Sequence, residues 1–219
     1  MPLESPRPTV KILLDRSSIV LVGSFNPTIF QPAWFGHHQL LRDAEASDAK
    51  VEFINPQLSH FKTDWLEVQV TRDRFMVLNR NGGYEEPLLD LVISVFALLE
   101  HTPVTALGMN REVQLEFATV EEWHQLGHLV APKEPWRDLF PSPGLIRLHM
   151  QGNREGKDNR LNVFVTSTGE RRADIDVNEH RIVKDAEGAS GATRLLREEW
   201  QPSSVESARI VRALIERIP

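Results

Sequence analysis

The chain runs twice through one order of patterns: a strand, a helix, three strands and a helix. In the first pass, residues 19–23 are apolar and β-branched and read as a strand. Pro32 can open a helix, and Ala33, Leu40, Leu41 and Ala44 recur at three- and four-residue spacings until the polar run 45–50. Residues 51–61 read as one strand interrupted at Asn55-Pro56, and 65–71 and 74–79 complete a meander. After Asn81-Gly82-Gly83, residues 84–101 carry Leu88, Leu91, Val92, Val95, Leu98 and Leu99 on one helical face, and Pro103 ends the run. The second pass begins with an extended stretch over 104–117, in which Val113, Leu115 and Phe117 alternate with polar residues. Thr119 followed by Glu122 has capping-box spacing and opens a helix through Trp123, Leu126 and Leu129. A Pro-rich crossing over 131–143 leads to strands at 145–151, 161–168 and 173–183. A final helix begins at Ser203 or Ser204, with Val205, Ala208, Val211 and Leu214 inward.

Strands grouped into meanders, rather than alternating with helices, imply an α+β class with antiparallel sheet covered by helices. The repeated order implies a pseudo-twofold duplication, with pseudo-repeats 18–103 and 104–219 in a single domain over 18–219. Residues 1–17, with Pro2, Pro6 and Pro8, read as a flexible leader.

Composition narrows the function classes. The chain has 219 residues, of which 41% are hydrophobic and 26% charged, which is a globular balance. It has no cysteine, which removes disulfides, thiolate nucleophiles, Cys-ligated zinc and iron–sulfur clusters. No signal-peptide h-region and no apolar run of about 18 residues is present, so the expected location is cytoplasmic, with no membrane partner. Net charge is −6, with 12 basic against 19 acidic residues in 1–144 and 13 against 12 beyond. That excess disfavours nucleic acid as a partner.

Several residue groups could carry chemistry, and each has a plain structural alternative. Glu121, His124 and His128 share one side of a helix at metal-ligand spacing, but Gln125 stands where a zinc protease needs its general base. Packing or solvated imidazoles are the alternative. Asn110 and Arg111 follow a strand and could meet an anionic ligand together with Asn26 and His38, or simply form a turn and an ion pair. Trp34 and Phe35, and Trp136 within Pro-Trp-Arg-Asp-Leu-Phe, lie in or beside irregular segments and are candidate interface residues. No nucleophile elbow, Walker loop or dinucleotide fingerprint occurs, and no cofactor is expected.

Two resemblances bear on these segments. Gly23-Ser24-Phe25-Asn26-Pro27 with Gly36-His37-His38 resembles the phosphate-binding start of the HIGH-type nucleotidyltransferases, and Ser167-Thr168 with Arg171 resembles their Ser-Thr-x-x-Arg element. The first His of that motif has no counterpart here, and Gly36-His37 comes about five residues late for a helix N-terminus. Over most of its length, including residues 23–34, 101–111, 132–136 and 177–180, the chain resembles a sporadically distributed family of uncharacterised bacterial proteins. That likeness implies a bacterial single-domain α+β protein and carries no activity with it. The resulting expectation is a non-enzymatic module that binds itself or another protein through an open sheet face or an edge strand. The competing expectation is a nucleotide- or small-anion-binding enzyme, nucleotidyltransferase-like or metal-dependent.

Overall fold

A computed structural model describes residues 10–154, 156, 159–184 and 186–218. The protein is α+β. Among the described residues nine strands form one sheet: β1 (Val10–Gly23), β2 (Lys50–Ile54), β3 (Leu58–Lys62), β4 (Leu66–Thr71), β5 (Arg74–Asn79), β6 (Val104–Phe117), β7 (Arg147–Gly152), β8 (Arg160–Gly169) and β9 (Arg172–Ile182). Their order is β2-β3-β4-β5-β1-β6-β9-β8-β7, and every neighbouring pair is antiparallel. Five helices accompany them: α1 (Pro32–His37), α2 (Asp43–Ser47), α3 (Glu85–Leu98), α4 (Val120–Val130) and α5 (Gly188–Glu216).

The two opening strands sit side by side at the middle of the sheet. β1 and β6 each have 14 residues and pair from Val10↔Phe117 to Gly23↔Val104, with Ser17↔Arg111 midway. In each pass the last strand returns to the first, β5 to β1 and β9 to β6. Alternation then sorts the side chains: on β4 Leu66, Val68 and Val70 are buried on one face while Glu67 and Gln69 point to the other. On the apolar face α3 packs against β1 and β5, and α5 packs against α3, β6 and β9. This face holds two apolar clusters, one around Phe25, Phe30, Phe75 and Phe96, the other around Leu115, Phe117, Ile175 and Val211.

Helix α5 spans both clusters and contains Pro202. A proline inside a helix removes one hydrogen bond and costs about 3 kcal/mol. Burial of Trp200 before it and Val211 after it, at about 1.5–3 kcal/mol for each large side chain, is enough to hold the helix through that position. The helix therefore starts at Gly188, well before the Ser203 or Ser204 start expected from its C-terminal periodicity.

Three other expectations are corrected. Residues 10–17, expected in the leader, are paired in β1 against β6, while 1–9 lie outside the described residues. The first helix is two short ones, because the chain turns through Gln39 at φ 56° and the amides of Leu40 and Leu41 both return to the Phe35 carbonyl. Residues 50–62 are two strands rather than one, since Asn55 closes a turn: its Oδ1 accepts from the amides of Gln57 (2.8 Å) and Leu58 (3.0 Å). The first pass thus carries four strands after its short helices where the second carries three. The capping box is as expected, with the Thr119 hydroxyl accepting from the Glu122 amide at 3.1 Å.

Candidate functional site

Polar residues at alternate positions of β1, β6, β9, β8 and β7 meet on the sheet face opposite the long helices. Cross-strand register aligns them in rows. One row is Ser18, Asn110, Asn178, Asn162 and Gln151, in that strand order. Its first four members form a directed hydrogen-bond chain that continues to His149, the β7 residue one row away from Gln151. His149 Nε2 donates to Asn162 Oδ1 (3.0 Å), Asn162 Nδ2 to Asn178 Oδ1 (3.0 Å), Asn178 Nδ2 to Asn110 Oδ1 (2.5 Å) and Asn110 Nδ2 to Ser18 Oγ (3.0 Å). Each side-chain amide orients the next, so the ladder fixes rotamers across five strands.

The adjacent row is Arg16, Glu112, Asp176, Phe164 and His149. Arg16 donates to Glu112 Oε2 from Nε (2.8 Å) and lies 2.7 Å from it through Nη2. His149 stacks on Phe164 at 4.2 Å between centroids, and the Arg147 guanidinium lies 4.6 Å from the same ring. Partial burial pushes the Asp176 carboxyl up to about 6, with Glu112 and Asp174 adding to the rise and Arg147 and Arg16 opposing it. A cleft of about 270 Å³ lies over these rows, with Arg74 at one end and Arg147 at the other.

Of the anion-binding candidates, only Asn110 belongs to this face. Arg111 is its chain neighbour and points to the helix side, where Nε and Nη2 donate to the Asp15 carboxylate at 2.9 and 2.6 Å. Asn26 lines a separate hollow with Phe30 and His101, and its Oδ1 accepts from the Thr28 amide at 3.2 Å. His38 packs on Trp34 with centroids 4.8 Å apart. The structure therefore does not gather Asn26, His38, Asn110 and Arg111 into one site. The segment after β1 has a structural role instead. Gly23 lets two backbones touch, since a Cβ there would lie 2.1 Å from the Pro103 carbonyl oxygen, and Ser24 N donates to that oxygen at 2.9 Å. The sheet around it is antiparallel, unlike the parallel sheet that a nucleotidyltransferase reading requires.

Glu121, His124 and His128 all lie on α4, as their spacing predicts. His124 and His128 line a small cavity of about 90 Å³ that Glu121 does not reach. Among the described residues no cluster of three His, Asp or Glu side chains is placed to hold a metal ion. The cation in that cavity is Lys133, whose Nζ donates to the carbonyls of Gly127 (3.0 Å) and Ala131 (2.6 Å). Burial lowers its pKa, and its position at the C-terminal end of α4 suits a positive charge.

The interface candidates divide. Phe35 is fully buried among core aromatics, which removes it from any surface, and Trp34 packs half-buried against that core. Trp136 is exposed at 47% and stacks on Phe140 at 5.9 Å. Leu139, Ile146 and Met150 are exposed close by in sequence, Ile146 at 81%. This stretch runs into β7, which ends the sheet.

Sequence reasoning missed Asp176, Phe164, Asn162 and Asn178 as members of a surface. Their one signal was period-two polarity on the last two strands, and only the strand register joins them to Arg16, Ser18 and Asn110. Among the described residues no helix is long and apolar enough to cross a membrane. No protein-family model matches the chain, and no curated protein matches it either.

Proposed function

We propose that the protein is a non-enzymatic interaction module that receives an extended segment of a partner chain, another protein or a second copy, along its β7 edge. One observation carries this: Trp136, Leu139, Phe140, Ile146 and Met150, all large, apolar and exposed, fall within 15 residues that lead into β7, an edge strand of the sheet among the described residues. Soluble proteins blunt such edges with bulges, prolines or covering loops. β7 keeps a regular six-residue ladder with β8 and no register shift, whereas the opposite edge, β2, is interrupted by a bulge between Val51 and Phe53. An added strand would gain main-chain hydrogen bonds from β7 and apolar contact from the residues beside it.

Substituting Trp136→Ala or Met150→Lys tests the proposal, because both side chains are exposed and can change without emptying the core. Complex formation should fall by about tenfold or more while the melting temperature holds. Unchanged association in both variants would reject it.

A further inference from the structure

The charges around the open-face cleft are unevenly matched. Arg16 is held by Glu112, and Asp174 accepts from Gln114 (3.0 Å) and Thr168 (3.2 Å). Arg74 donates to the Met76 sulfur at 3.6 Å, and Arg147 rests over Phe164. Among the described residues neither of these two guanidiniums makes an ion pair, and the Asp176 carboxyl between them makes no hydrogen bond. Two open cations and one unanswered, half-buried carboxyl thus share a single cleft.

A guanidinium presents parallel N–H donors that match a carboxylate or a phosphate. Arg74 belongs to β5 and Arg147 to β7, so a ligand that engages both crosses the floor formed by β1, β6, β9 and β8. That floor is already ordered, because the Ser18–Asn110–Asn178–Asn162 ladder satisfies its own amides. Binding there needs little further ordering of the protein. The groups facing Asp176 are Arg16 from β1, Glu112 from β6, Asp174 on its own strand, Phe164 from β8 and Arg147 from β7. A protonated carboxyl in that setting can donate to an oxyanion, whereas an ionised one repels it.

We propose that the cleft binds a small molecule with two oxyanion groups, phosphate or carboxylate, clamped between Arg74 and Arg147, with the Asp176 carboxyl facing it between them. The site is on the open face; Arg147 belongs to β7, but titration of the single chain with a small molecule reads this site whether or not a partner strand adds at that edge.

Isothermal titration calorimetry of the full chain against inorganic pyrophosphate and, separately, succinate tests it. At least one probe should bind, and Arg74→Ala and Arg147→Ala should each weaken it by about tenfold or more. Both side chains are exposed, so a thermal melt of each variant should match the unaltered chain. Above the Asp176 midpoint of about 6, Asp176→Asn should bind more tightly than the unaltered chain, because the repelling charge is gone. Pyrophosphate alone would mark a phosphorylated ligand, and succinate alone a dicarboxylate. No heat with either probe at about 10 mM, or arginine variants that titrate like the unaltered chain, would overturn the proposal.

Discussion

Glu112 and Asp176 stand directly opposite each other on β6 and β9, both on the open face, and Arg16 closes on Glu112 alone. Like charges set across a strand pair destabilise a sheet. Burial first, and the facing Glu112 second, push the Asp176 carboxyl up to about 6 from the ordinary 3.8, so it keeps its proton where a free carboxyl would have lost it.

The consequence is a pH-dependent stability with a definite sign. The folded state holds the Asp176 proton more tightly than the unfolded chain, so this contribution is complete below 3.8 and is lost as pH rises through about 6. Asp176→Asn removes the loss. Above the midpoint the variant should be more stable than the unaltered chain by about 1 kcal/mol, allowing for solvent screening on an open face. Melting temperatures measured between about pH 4 and pH 8 should diverge on the alkaline side, and parallel curves would contradict the assignment.

A second prediction concerns four charges under α5. Arg154 pairs with Glu179 at 2.7 Å and with Glu199, while Arg181 approaches the same two carboxylates at 3.3 and 3.2 Å. The Glu179 side chain is only 1% exposed. Arg154→Met removes a cation that Glu179 and Glu199 share and should cost about 3 kcal/mol in urea unfolding. Adding Glu199→Gln should recover part of that loss. A single variant as stable as the unaltered chain would show that the quartet does not hold the segment after β7 to the helix.

Gly23 offers a sharper steric test. A methyl group there meets the Pro103 carbonyl at 2.1 Å, and backbone cannot retreat as a flexible side chain could. Gly23→Ala should destabilise the fold by about 3 kcal/mol or more, read from the urea midpoint. A cost below about 0.5 kcal/mol would mean that the β1 end and Pro103 can separate freely.

How much of this was legible in the sequence follows from the range of the interactions involved. The alternation of Val113, Leu115 and Phe117 and the Thr119–Glu122 box are local signals, and β6 and the start of α4 lie where those signals put them. The start of α5 was misplaced because its apolar periodicity was read only from Val205 onward, whereas burial in two apolar clusters far apart in sequence carries the helix back through Pro202 to Gly188. The hairpin at Asn55 was hidden because an Asx turn and an interrupted strand share the same residues. Arg111 was grouped with Asn110 by adjacency, although successive residues of a strand face opposite ways. Phe164 and Asp176 carry no motif, and their meeting with Arg16 is set by three strand registers. Trp136 was visible because an aromatic in a Pro-rich crossing has little core to enter, whereas Phe35, equally close to irregular chain, found one.

Native mass spectrometry of the protein purified gently from its own host bears most directly on the interaction module. The account predicts a stoichiometric complex, with a second copy or with another chain, that dissociates when Trp136→Ala or Met150→Lys is introduced. A spectrum holding only the single chain, or a complex that both variants leave intact, would contradict it.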